Sequence, residues 1–329
     1  MALLLHIGLQ KTASTWLQNK VFGSAEVGFA TVGGEAVVKR TLISPDDIEF
    51  DAATCRSAFM ERIEAVGAER LVPVLSAERL SGDMLFGAYD SVRLADRLAE
   101  TFPGAKVLIV IREQRSMLFS TYQQYVKVGG LLDVGDYLTR VSKSHPWPCD
   151  LRRYEYDRLV AYYHGLFGRD HVLTLPYELF QSDPEGFVHR IAAFAGASPD
   201  PSTVGALKFG KVVNRSWPPA GIAVKRRLNW LVRERMNPWA PIDGRGPAGR
   251  RLTKAARELG RNAPERVAAR IEQAMRETIV SLVDARYRES NGRTSDLIGL
   301  DLAAFGYDAA ARDGKSASDS ASSSVHMRS

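Results

Sequence analysis

The chain has 329 residues, of which 45% are hydrophobic and 25% charged, with a net charge of +6; such a composition excludes a disordered or fibrous protein and supplies a sizeable core. Its longest apolar runs, LLLHIGL and VLIVI, fall far short of the ~20 residues that cross a bilayer, and no leader pattern opens it, so a cytoplasmic protein without a transmembrane segment is expected. Cys55 and Cys149 make no disulfide framework, and His145, four residues before Cys149, has no second ligand pair near it, so no metal site is expected.

In chain order, the first element is an apolar run from Ala2 to Ile7, read as a buried strand. It gives way in HIGLQKTASTW, residues 6–16, to a helix expected to start at Thr12 or Ala13. Helix-start amides, the Lys11 ammonium and the hydroxyls of Thr12, Ser14 and Thr15 converge there, which is how proteins bind phosphate-like anions. A nucleotide-hydrolysing loop reads GxxxxGK[ST]. Here Lys11 follows Gly8 by three residues and no GK[ST] exists, which disfavours an ATPase or kinase.

A second strand, Leu71 to Leu75, is weakened by Pro73. It runs into SAERL, so Glu78 falls at the carboxyl edge of a sheet, where ligands collect. SVRLADRLAETF, residues 91–102, places Leu94, Ala95, Leu98 and Phe102 on one helix face and stops at Pro103-Gly104. The third strand, Lys106 to Ile111, ends at Arg112, whose planar fork of donors suits a phosphate, with Ser120 one to two helical turns onward. Residues 129–156 have the composition of an acceptor lid, His145 and Trp147 included, and His171 to Leu175 is the fourth strand.

Strands alternating with helices predict an α/β fold whose central, mostly parallel sheet is flanked by helices, within a single domain of residues 1–310. Beyond residue 200 the pattern is helical and irregular: Trp217-Pro218-Pro219 and 237–249 read as loops, and a helical addition over residues 225–300 includes a long helix from Pro264 to Asp284, with Val267, Ile271, Met275, Ile279 and Leu282 on one side. Residues 311–329, rich in Ser and Ala, are expected to be a disordered tail. Residues 225–270 carry thirteen Lys or Arg against four Asp or Glu. That segment reads either as a polyanion patch or as a solvated helix face.

The stretch K-T-A-S-T-W, Lys11 to Trp16, resembles the 5′-phosphosulfate loop of the sulfotransferases, which use 3′-phosphoadenosine 5′-phosphosulfate (PAPS). Their usual loop has glycine where this chain has Ala13. A helical Ala13, which is expected, costs nothing; one with positive φ would cost about 1 kcal/mol. Arg112 followed by Ser120 resembles the family's 3′-phosphate site. LPYELFQSDPEGFVHRIAAFAG, residues 175–196, Val213 to Ser216, and Asp301-Leu302 with Phe305-Gly306-Tyr307 are similar to later family segments, so the likeness spans roughly residues 2–308.

This resemblance implies the P-loop NTPase-like sulfotransferase fold and transfer of a sulfuryl group from PAPS, without a metal, to a hydroxyl or amine of a glycan, lipid or secondary metabolite. It implies Lys11, Thr12, Ala13, Ser14, Thr15, Trp16, Arg112, Ser120, Asn214, Arg215 and Ser216 as nucleotide contacts. Lys11 would also be catalytic, and Glu78, within an S-x-E-x-L pattern, is the candidate base; its competing reading is a helix-start residue. His6 reads as a packed or nucleotide-adjacent residue, and Tyr177 and Phe194 as core. Two other classes stay open: an atypical P-loop kinase or NTPase, and a non-catalytic polyanion-binding protein. No nucleic-acid partner is expected, because no aromatic-interleaved basic motif is present.

Overall fold

The computed structural model describes residues 3–140, 148–207, 209 and 217–310. Five strands, β1 (Leu4–His6), β2 (Phe29–Gly33), β3 (Val72–Ser76), β4 (Lys106–Ile111) and β5 (Val172–Pro176), form one sheet in the order β2-β3-β1-β4-β5. Every pairing is parallel. Side chains alternate between the two faces: Leu5, Leu75, Val107 and Ile109 pack on one, with the helices Ala52–Ala68, Ser91–Thr101, Gln114–Lys127 and Tyr156–Phe167. Leu4, Val74, Leu108 and Val110 pack on the other, against the helix Pro184–Ala195. Burial on both faces is why these strands are nearly continuous apolar runs. The expected α/β architecture is therefore present.

Pro73 is tolerated inside the sheet for a geometric reason. The Val72 amide donates to Gly28 O on the β2 side at 2.8 Å, so the next amide along the strand would face β1, whose pairing begins only at Leu4 and Val74. Its missing N–H breaks no ladder bond.

Four sequence expectations need correction. The strand β2 was not anticipated, because its short run FATVG is flanked by glycines and half-buried at a sheet edge. The long helix spans Glu265–Val283 as expected, but Val267 is 48% and Leu282 38% exposed, and the side turned inward is that of Ile279 and Val283. Ala13 is not helical. It precedes the helix Ser14–Leu17 in the left-handed region, at φ 63°. The stretch 237–249, read as loop, also holds the short strand Ile242–Asp243, paired with Val232–Arg233, and Pro247 opens the helix Pro247–Arg261.

Candidate active site

Because β1 lies between β3 and β4, the segments that follow these three strands share one edge of the sheet. The loop after β1, Glu78 after β3 and Arg112 after β4 meet there, at the reversal in strand order where open α/β sheets bind ligands.

The loop after β1 is held in a strained shape. Gly8, Lys11 and Ala13 have φ of 23°, 71° and 63°, and a Cβ on Gly8 would come within 2.8 Å of the His6 ring. The buried hydroxyls of Thr12 and Ser14 both donate back to Leu9 O, at 2.5 and 3.3 Å, so they shape the loop from within. Left-handed alanine costs about 1–2 kcal/mol, a strain characteristic of functional loops. Ala13→Gly is accordingly expected to stabilise the fold by about 1 kcal/mol in urea unfolding; an unchanged or lower midpoint would show that this backbone carries no such cost.

Lys11 projects its ammonium to Gln124 Oε1 at 3.0 Å, on the helix Gln114–Lys127. Burial lowers its pKa; the carboxylate of Glu78 opposes that shift and the Arg112 guanidinium adds to it. Glu78 is half-buried, and burial raises its pKa, while Lys11 and a hydrogen bond from Ser14 act in the other direction. Glu78 and Lys11, both half-buried, are thus close enough for each to influence the other's charge.

Arg112 ties the end of β4 to the loop after β1. Its Nη1 donates to Lys11 O at 3.1 Å, and its guanidinium lies over the Tyr177 ring, 5.0 Å from the centroid. Its Nε is buried with no hydrogen-bond partner among the described residues. The Arg112 carbonyl accepts from Tyr156 Oη at 2.7 Å. The next residue, Glu113, caps the following helix by accepting from the amides of Arg115 and Ser116, and its own amide donates to Glu178. Ser120 lies half-exposed on that helix, one turn before Gln124 and on the same face.

Residues 43–201, a span that contains Glu78, Arg112 and Ser120, match the model described as Sulfotransferase family. Over that span, just under half of its length, the chain is similar to the sulfotransferase family. Among solved structures, the chain is similar to a sulfotransferase from Alicyclobacillus acidocaldarius at 19% identity and a TM-score of 0.47, covering 69% of this chain and 94% of that one. It is also similar to the sulfotransferase domain from the curacin biosynthetic pathway, at 11% identity and a TM-score of 0.37, covering 61% of this chain and 76% of that one. No curated protein matches the chain. Among the described residues, no helix is long and apolar enough to cross a membrane.

The predicted site residues fall into three groups. Lys11, Glu78, Arg112, Thr15 and Ser120 are half-buried around the common edge. Thr12, Ser14 and Trp16 are buried: the two hydroxyls brace the loop, and the Trp16 ring packs 4.8 Å from Phe180 and 5.3 Å from Phe209. Asn214, Arg215 and Ser216 lie outside the described residues, as do His145, Trp147 and the tail from residue 311. Of the lid segment, Tyr137, Cys149 and Tyr154 are packed into the core.

Gln124, which holds the Lys11 ammonium, was missed; its signal is the i, i+4 spacing from Ser120. Gln18 was missed as well: its amide donates to Ser76 Oγ at 3.1 Å, bracing the end of β3 just before Glu78. Glu178 and Tyr307 complete the support behind Arg112, the phenol donating to the carboxylate at 3.0 Å.

His6 is fully buried, its Nδ1 2.7 Å from Ser76 Oγ, and burial holds its pKa down at about 3. The unfolded chain takes up this proton near pH 6.5 and the folded one near 3. Stability from His6 is therefore intact above pH 6.5 and declines as the pH falls from there toward 3, by on the order of 1 kcal/mol per pH unit. His6→Gln is expected to flatten that decline in urea unfolding compared between about pH 7 and about pH 5; equal slopes in the two proteins would exclude His6 as its source.

Proposed function

We propose that the protein transfers a sulfuryl group from PAPS to a hydroxyl or amine of an acceptor by in-line displacement. The observation that carries this reading is the hydrogen bond from Arg112 to the Lys11 carbonyl, which joins a strand-end arginine and a lysine loop into one continuous anion-binding edge. The unpartnered Arg112 Nε and the left-handed loop beside it fit an anionic occupant. PAPS supplies an activated sulfur whose bond to a phosphate oxygen breaks as the acceptor oxygen or nitrogen bonds to it.

In this reading Arg112 and Ser120 take the 3′-phosphate, and Thr15 with the free amides at the start of Ser14–Leu17 takes the 5′-phosphate. Lys11 places its positive charge against the bridging oxygen, where charge builds in the transition state, and Gln124 keeps it on target. Glu78 accepts the acceptor's proton during attack. A glycan, lipid or secondary metabolite is the acceptor class, and Asn214, Arg215 and Ser216, outside the described residues, are further nucleotide contacts in this reading.

Calorimetric titration with adenosine 3′,5′-bisphosphate, compared with ADP plus magnesium, tests this reading. Micromolar affinity for the bisphosphate, little for ADP, and a loss of about 10- to 100-fold in Arg112→Ala are expected, the range for one charged hydrogen-bonding partner. Tighter binding of ADP with magnesium, or an Arg112→Ala protein with unaltered affinity, would overturn it.

A further inference from the structure

The helix Gln114–Lys127 turns Ser120, Gln124 and Lys127 to one side, at i, i+4 and i+7. Since Gln124 holds the Lys11 ammonium, this face looks onto the loop after β1. Lys127 lies one turn beyond Gln124, about 4.5 Å further along the axis and away from Arg112. It is half-buried, yet makes no hydrogen bond or ion pair with any described residue. The charges around it are of its own sign: Lys11 and Arg257, which together with burial lower its pKa to about 8.

Arg257 arrives from the helical addition. The helix Pro247–Arg261 packs closely on the helix Pro219–Leu228 where Gly260 meets Gly221, an approach that no side chain would permit. Arg257 stands over the Trp217 ring, 5.9 Å from its centroid, and its Nε is buried without a partner. Thr253, one turn earlier on the same face, has a buried hydroxyl that is also unpartnered. A half-buried ammonium whose charged neighbours are Lys11 and Arg257, beside an Arg257 Nε and a Thr253 hydroxyl that lack partners, is unfavourable until an anion joins it.

We propose that Lys127 and Arg257 form an anion subsite for the acceptor, so that the group receiving sulfuryl belongs to a molecule already bearing a carboxylate or a phosphate or sulfate ester. The assignment to the acceptor rests on the sulfotransfer reading above: Arg112 with Ser120, and the loop with Lys11, account for both ends of the nucleotide, which leaves this pair one turn past the reacting group.

Reductive labelling of the full chain tests the subsite. Pyridoxal 5′-phosphate and pyridoxal, each followed by borohydride, are compared by mass spectrometry at saturating adenosine 3′,5′-bisphosphate, with exposed Lys20 as internal reference. Relative to Lys20, Lys127 is expected to react at least about tenfold faster with the phosphorylated reagent, and Arg257→Met is expected to remove most of that preference. Glucuronate or glucose 1-phosphate should slow Lys127 labelling where glucose does not, and the stronger of the two competitors identifies a carboxylate or an ester as the preferred anion. Equal preference for both reagents, a preference unchanged in Arg257→Met, or no competition by either anionic sugar would overturn the proposal. Protection of Lys127 by the bisphosphate itself would assign the pair to the nucleotide and overturn it too. Failure of the donor reading is separately visible as absent bisphosphate binding in calorimetry while the Lys127 preference persists.

Discussion

Glu78→Gln is expected to lower turnover by about 10²- to 10⁴-fold, the range for a general base, while affinity for adenosine 3′,5′-bisphosphate stays as it was. The carboxamide keeps the size of the side chain and a hydrogen-bond acceptor for Ser14, but cannot take a proton. Burial is the largest influence on Glu78 and raises its pKa above the ordinary 4.5, with Glu35 adding to the rise and Lys11 opposing it. A base acts only when ionised, so turnover of the unaltered enzyme should fall as the pH drops through that raised value. The acid limb should therefore lie above the usual carboxylate range and be missing from the residual activity of Glu78→Gln. Full turnover in the variant, or an acid limb that survives the substitution, would remove Glu78 from the chemistry.

Lys11→Met should cost on the order of 10²- to 10³-fold in kcat, the effect of deleting one preorganised electrostatic donor. Methionine retains most of the aliphatic stem, so the left-handed backbone at φ 71° and the Arg112 hydrogen bond to the residue 11 carbonyl are preserved. Burial, the chief influence, lowers the Lys11 pKa below its ordinary 10.5. Turnover should consequently decline on the alkaline side before a solvated lysine would titrate. Since Glu78 works against that lowering, Glu78→Gln should move the alkaline limb to still lower pH. Single-turnover rates across pH in the two variants measure both effects, and a Lys11→Met enzyme with nearly normal kcat would exclude the lysine from transition-state stabilisation.

The parts of the site that were legible in sequence are those carried by consecutive residues. Gly8 to Trp16 and Arg112 to Ser120 each follow an apolar run, and a strand that ends in donors announces itself without knowledge of the neighbours. Glu78 was legible for the same reason, two residues past β3. The conformation of Ala13 was not, because helix propensity favours alanine in Ser14–Leu17, while the Arg112 grip on residue 11 and the inward hydroxyls of Thr12 and Ser14 set the backbone. Nor was the role of Gln124, which depends on a contact 113 residues away in sequence. Lys127 and Arg257 stand on separate helices, close enough only in the fold for one charge to act on the other, and nothing local to either residue signals the other. In the fold, β2 was hidden because FATVG is short and flanked by glycines and buries only Phe29 and Val32, one on each face of the sheet.

The bond between Tyr307 and Glu178 bridges 129 positions. Glu178 in turn fixes the amide of Glu113, the residue that starts the helix behind Arg112. During synthesis the sheet has all its strands once β5 has emerged, yet the arginine's backing stays unfinished until residue 307 has cleared the ribosome. Nascent chains thus hold every strand of the sheet well before the contacts behind Arg112 can close.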